Sequence, residues 1–361
     1  MKDNIRVDKS TAGAMILGGA ILGGGGGGAI ADGKNIANNA LSAGFSSIKS
    51  CHSLNPDEII VTVSIVGAPS TGANSLSAQD YARSFELFLD RSKIDVHGIV
   101  TNEIGAFAIA NGWIQSTQLG IPVIDAPCNG RAHPTGMMGA MGLNRVENYL
   151  SMQAVVGGNS RKGTHVEAFF SGSLEEVSQK VLQASIKAEG FVAVTRNPVP
   201  AAYVLEHGAP GAIYMALSLG RIFHLHRKPE PDVVLSELPS RFHAKVIAHG
   251  IVEESNLAMR GGFDVGSFSV ESDGKRFETA FCNEYMVLKS GGMRIATFPD
   301  LIMTLDAETG MPIISSEIQE GLSIIIFVIP AKHLILGAGV KDPLLYQPIE
   351  KCIDKQFQIK T

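Results

Sequence analysis

The stretch DAPCNGRAHPTG places an acid, a thiol, a guanidinium and an imidazole within nine residues: Asp125, Cys128, Arg131 and His133. Two chemistries fit those types. Cys128 and His133 are ligands for a soft divalent metal, zinc above all, with Asp125 or a distant side chain completing the set. Alternatively, Cys128 is a thiolate nucleophile and His133 its base. The spacing matches no standard metal template, and a core-facing Cys beside a hydrogen-bonded His accounts for the same residues. Glu103, in TNEIG, is a candidate general base, or else an acid favoured at a helix N-terminus. Asn283 and Glu284 in FCNEYM, and Asp300 in FPDLI, are polar residues among strand hydrophobics, either substrate contacts or turn residues. His207 and Gly208 precede a helical stretch, where capping is the plain explanation. His224 and His226 alternate within a helical stretch and face different directions, which argues against joint ligation.

A second group has no side chains at all. ILGGGGGGA carries six consecutive glycines, Gly23 to Gly28. Each one costs folding entropy. What such a run offers is close backbone approach, with successive N–H groups aimed at one oxyanion or thiolate. A helix N-terminus after it adds its dipole. Gly24, Gly25, Gly26 and Gly27 are therefore candidate substrate-binding positions, with a tight or flexible turn as the alternative reading. No lysine follows in Walker spacing, a glycine run matches GxGxxG trivially, and the preceding segment reads as helix, so no nucleotide cofactor is expected. The expectation is that the amides of 23–28 and the polar side chains of 125–133 line one crevice that accepts an anion.

These groups need elements to hold them. Residues 8–22 read as a short amphipathic helix leading into the glycines, and 35–48 has helical spacing. A β-branched run at 57–70 reads as a buried strand. Residues 77–92 form a clear helix with Ser77 as N-cap. Residues 96–105 read as a strand, 106–120 as a helix closed by Gly120, and 121–136 as a strand running into a loop. Strand–helix alternation to residue 165 predicts an α/β domain with a largely parallel sheet, which puts functional loops at strand C-termini. A further βα pair follows, then a helix near 210–227 and a Pro-rich linker, RKPEPD, at 227–232. Beyond it, short alternating strands separated by Gly, Asp and Ser predict a β-meander or small barrel, and 322–336 reads as another buried strand.

Composition narrows the class. The chain has 361 residues, enough for two domains, and its net charge of −5 gives no electrostatic case for nucleic acid or an anionic membrane. Cys51, Cys128, Cys282 and Cys352 are widely spaced and form no disulfide framework, which points to a reducing, cytoplasmic setting. The uncharged segment from Ser10 to Ala31 is long enough to resemble a membrane span, but its glycine content argues against insertion. The apolar share and low charge suggest a homo-oligomer.

GGAILGGGGGG, VGAPSTG, TNEIGAFAIANG, GIPVIDAPCNGRAHP, RGGFDVGSFSVE, FCNEYMVL and ATFPDLIMTLDAETGMPI occur in the order seen in the S-methyl-thiohydantoin desulfurase domain family. The chain resembles that family over about residues 10 to 350. The resemblance implies an α/β domain built from residues 1–165 and 310–361, with a β-rich, barrel-like domain of 166–309 inserted. It implies removal of sulfur from a thiohydantoin-like ring, C=S becoming C=O, with sulfide or a thiol released. The glycine run, Glu103, Asp125, Gly130–Arg131–Ala132, Asn283–Glu284 and Pro299–Asp300 match the family pattern. Cys128 and His133 depart from it, so either they serve a subgroup chemically or they are incidental. On this reading Glu103 or Asp125 activates water, with or without a metal, and the glycine amides with Arg131 steady the anion. Two rivals remain: a metal-dependent cyclic amidase that opens the ring, and a non-catalytic subunit that binds a small heterocycle.

Overall fold

The computed structural model describes residues 4–67, 76–224, 231–260 and 263–353. Most of VGAPSTG, residues 227–230 of the expected linker, and His226 lie outside them.

The strands of the first half are β1 (Asn4–Arg6), β2 (Ser47–Ser50), β3 (Ile59–Val66), β4 (Gly98–Thr101), β5 (Val123–Asp125), β6 (Ser151–Gly157), β7 (Val166–Gly172) and β8 (Val192–Pro200). They join in one sheet in the order β1-β2-β5-β4-β3-β8-β6-β7. Only β2, β5, β4 and β3 run parallel; β1, β8, β6 and β7 pair antiparallel. The expected largely parallel sheet is therefore mixed. Crossover helices after β3 and β4 permit parallel return, whereas β6 and β7 are joined by a short turn that enforces antiparallel pairing.

The helices are α1 (Lys9–Gly23), α2 (Ile30–Ser42), α3 (Ala78–Ser92), α4 (Trp113–Leu119), α5 (Leu174–Lys187), α6 (Ala201–His207), α7 (Ala212–His224), α8 (Pro231–Phe242) and α9 (Gln347–Cys352). Ser77 caps α3, as its sequence predicts, and the structure adds a full capping box with Asp80. α1 departs from expectation: it is buried on nearly every side from Ala12 to Gly23, not amphipathic. Its polarity is low because it crosses α7 backbone to backbone. A Cβ at Gly18 would overlap the Ala216 carbonyl, and one at Gly220 the Ala14 carbonyl. That burial also accounts for an apolar run resembling a membrane span. No helix among the described residues is long and apolar enough to cross a membrane.

The second half supplies β9 (Lys245–Arg260), β10 (Phe263–Ser272), β11 (Lys275–Cys282), β12 (Glu284–Ser290), β13 (Met293–Thr297), β14 (Leu301–Asp306), β15 (Pro312–Ile313) and β16 (Ser323–Ile329). All pair antiparallel, in the order β13-β12-β11-β10-β9-β16-β14-β15. The sheet curls, bringing β12 and β13 alongside β14. The described pairings leave β13 and β15 as its ends, so they are those of a curled sheet, and the closing ladder of a barrel is not among them. The two sheets divide the chain between β8 and β9. Residues 166–200, assigned in sequence to the inserted part, belong to the first sheet, and 323–329, assigned to the α/β part, to the second.

Candidate functional site

α1 ends where Gly24 turns left-handed, φ 58°, its N–H donating to the Ile21 carbonyl at 3.0 Å. The glycines then run under three other segments. A Cβ at Gly24 would strike the Arg131 guanidinium, one at Gly25 the Tyr285 ring, one at Gly26 the Glu284 carboxyl, and one at Gly27 the Gly105 backbone. Here the absence of side chains is a packing requirement. The loop's carbonyls are held: Gly24 accepts from Tyr285 N–H at 2.7 Å, Gly25 from Ser315 N–H at 2.9 Å, and Gly27 from Phe107 N–H at 3.0 Å. Its amides are not. Among the described residues, the N–H groups of Gly25, Gly27 and Gly28 donate to nothing.

Arg131 leaves the β5 loop and crosses to the second sheet. It is fully buried, and its Nη1 donates to the Pro299 and Asp300 carbonyls at 3.0 and 2.8 Å. Its guanidinium carbon lies 4.4 Å from the centre of the Phe298 ring. Nη2, facing Gly24, has no partner. Burial pulls the Arg131 pKa down to about 10, opposed by Glu284 and other acids, so it stays charged at neutral pH.

Glu284 opens β12 and is buried, with one carboxyl oxygen against Gly26 and Oε2 without a partner. Burial, then the neighbouring Glu103, holds its pKa well above the ordinary carboxylate value despite Arg131. Glu103 follows β4. Its Oε2 accepts the His133 N–H at 3.1 Å and lies 3.4 Å from His133 Nε2. Its side chain keeps 15% of its exposure, so this carboxylate reaches water and Glu284 does not. The site thus holds a sealed carboxyl whose pKa is raised, an accessible carboxylate and a guanidinium with a spare N–H, beside a loop in which three backbone amides have no partner.

The remaining expected residues divide differently. Asp300 and Asn283 hold backbone: Asp300 accepts Ala331 N–H at 2.8 Å, and Asn283, at φ 58°, accepts Asp264 N–H at 2.9 Å. Asp125 does not reach the glycines. Its two oxygens accept the Ile213 and Tyr214 N–H groups at 2.8 and 3.3 Å, capping α7. With Cys51, His52 and Tyr214 it lines a separate cavity of about 110 Å³. Burial raises it to about 6. Cys128 is wholly buried, bonded to Thr62 Oγ1 at 3.2 Å, and pushed up to about 11 by burial, which is unlike a thiolate nucleophile. Asp125, Cys128 and His133 each point to different partners. They do not form the expected zinc set, and no group of three His, Cys, Asp or Glu among the described residues is placed to hold a metal ion. His207 ends α6 and Gly208 is its C-cap, the Gly208 N–H donating to the Val204 carbonyl, and the His207 ring lies 4.2 Å from that of Tyr203.

One residue escaped the sequence reading. Arg196 sits mid-strand in β8, opposite Thr62 of β3 and Gln153 of β6, and is 7% exposed. A charged residue inside the apolar run FVAVTRNPV was the available signal.

A mixed α/β layer, a buried glycine-carrying helix and a curled antiparallel sheet that meet over one polar junction define the class. Residues 11–163 match the family model "S-Me-THD-like, N-terminal domain", and residues 173–338 match "S-Me-THD-like, C-terminal domain". The chain belongs to the S-Me-THD-like family. A crystal structure of a protein from Chromobacterium violaceum shares the fold, with a TM-score of 0.71 and 17% identity over 96% of each chain. No curated protein matches the chain.

Proposed function

We propose that this chain hydrolyses a thiohydantoin-like ring at C2, converting C=S to C=O. The observation that supports it most is the unequal carboxyl pair. Glu103 is open to water while Glu284 is sealed against the glycine loop, where burial raises its pKa, and the charges of both act on Arg131. Opposed acid and base roles follow from opposed environments. Glu103 takes a proton from water as its oxygen bonds to C2. Charge passes to sulfur in the tetrahedral adduct, and the spare amides with Arg131 Nη2 are suited to hold it. Glu284 then gives its proton to sulfur, and the adduct's hydroxyl proton passes to the departing sulfur as the C2–S bond breaks and the C2 carbonyl forms. The products are the C2 carbonyl and hydrogen sulfide, or a thiol from an S-alkyl ring. Glu103 returns its proton to Glu284, which closes the cycle without an oxidant or reductant.

The test is to give purified protein a thiohydantoin and follow sulfide and ring opening separately. Sulfide release with an intact ring is expected, and Glu103→Gln and Glu284→Gln are each expected to suppress it. Ring opening without sulfide would instead make the protein a cyclic amidase. Tight binding with neither product would make it a binding subunit.

A further inference from the structure

His133 meets Glu103 twice. Its backbone N–H donates to Glu103 Oε2 at 3.1 Å, and its ring Nε2 lies 3.4 Å from the same oxygen. Glu103 Oε1 accepts from none of the described residues, and the side chain keeps 15% of its exposure. One carboxylate oxygen is tied down and the other is left for water.

The ring has little room to turn. Only 2% of the His133 side chain is exposed. Nε2 also faces the Asn102 carbonyl at 3.4 Å. On its far side the Gly139 backbone lies so close that a Cβ there would sit 2.8 Å from ring Cε1 and Nε2. A carbonyl and a carboxylate only accept, so the nitrogen between them carries a proton. The two 3.4 Å distances are long for a single bond and fit one N–H shared between two acceptors. Nδ1 is buried without a partner, which suits a bare lone pair, since an N–H there would be a sealed donor with no acceptor.

Resting on the hydrolytic reading, we propose that His133 is the positioning residue of the general base: its backbone N–H and Nε2–H together fix Glu103 Oε2, so that Oε1 alone receives the proton of the attacking water. The last torsion of a glutamate is broad, and a carboxylate left to itself presents either oxygen over a wide range of angles. Two donors from one residue on one oxygen remove that freedom, on which the alignment of proton transfer depends.

The experiment uses the full chain with ¹⁵N-labelled histidine, read by NMR, alongside turnover of a thiohydantoin. The ring signals of His133, identified by their loss in His133→Gln, are expected to show a proton on Nε2 and to shift in Glu103→Gln. A bare Nε2, or ring signals indifferent to Glu103→Gln, overturns the proposal. His133→Phe keeps a ring and the backbone N–H but loses the second donor, and its kcat is expected to fall about 10- to 100-fold with KM little changed. His133→Gln, whose amide N–H reaches the place of Nε2, is expected to recover most of that loss. Equal kcat values in His133→Phe and His133→Gln, lowered or not, overturn the proposal, because the ring would then matter only as packing. If His133→Phe does not fold, Gly139→Ala gives a second route. Gly139 is not left-handed, so its new methyl displaces the ring without straining the backbone. It is expected to move the His133 signals and lower kcat together, and moved signals with unaltered kcat overturn the proposal. The NMR arm needs no turnover: an inactive wild type sinks the hydrolytic reading, and the ring signals still decide whether His133 holds Glu103.

Discussion

Asp125 and Arg131 sit six positions apart on one loop and serve opposite ends. Both are buried and both are charged types. Asp125 meets two backbone N–H groups at the start of α7 and is consumed by them. Arg131 spends two nitrogens on three carbonyls and keeps the third beside Gly24 with nothing to bind. The same holds for two neighbours: Cys128 is closed off by Thr62, while His133 lends its backbone N–H to Glu103. What separates architecture from chemistry here is hydrogen-bonding capacity left over, since residue type is shared by both ends.

The largest effect expected from that contrast is on the carboxyl pair. Glu103→Gln and Glu284→Gln keep shape but remove proton transfer, and each is expected to lower kcat by about 10² to 10⁴. Losses under tenfold in steady-state assays would place the reaction elsewhere. Gly26→Ala comes next. Gly26 has no left-handed backbone demand, so the only obstacle is the Glu284 carboxyl, which the new methyl would have to displace. Activity is expected to drop about 10- to 100-fold, the scale of a small misplacement of a catalytic group. Gly44→Ala is the companion variant: its Cβ meets nothing, so it loses stability through φ 112° alone and keeps activity per folded molecule.

Legibility in sequence follows the range of the interaction. The Ser77 cap of α3, the turn glycines and the alternating strands of the second sheet are local patterns, and they read correctly. The pairing of β8 between β3 and β6 is decided by where the chain returns, which no short window encodes. Asp125 is the plainest case. Its residue type suggested catalysis, and its role is fixed by Ile213, 88 residues away. Glu284 was visible as an acid among strand hydrophobics, but only the fold shows that Glu103 and the glycine loop enclose it.

A smaller effect concerns stability and its pH dependence. Asp125 titrates near 6 in the fold against about 3.8 ordinarily, so the folded state binds its proton more tightly than the unfolded chain does. Ionising it therefore costs stability, a cost absent below about pH 3.8 and fully present above about pH 6. Urea unfolding at stepped pH is expected to show the Asp125→Asn protein with a flatter decline across that window. Asp125→Ala, which leaves both α7 amides without an acceptor, is expected to lose about 1–3 kcal/mol. A thousandfold activity loss in a folded Asp125→Asn protein would erase the contrast between the two ends of the loop.

The smallest effect belongs to Cys128, and it is the sharpest probe of that contrast because the residue type invites a chemical role. Its thiol is sealed from solvent and, at about 11, is almost wholly protonated at neutral pH, so it offers neither a nucleophile nor a ready ligand. Cys128→Ser keeps a hydroxyl within reach of Thr62 and is expected to leave kcat within about threefold while costing about 1 kcal/mol. An aromatic disulfide reagent is expected to reach Cys128 only as the protein unfolds, with the modification rate tracking global opening. Rapid modification of the native protein, with activity lost in step, would return Cys128 to the reacting groups and undo the division drawn between it and His133.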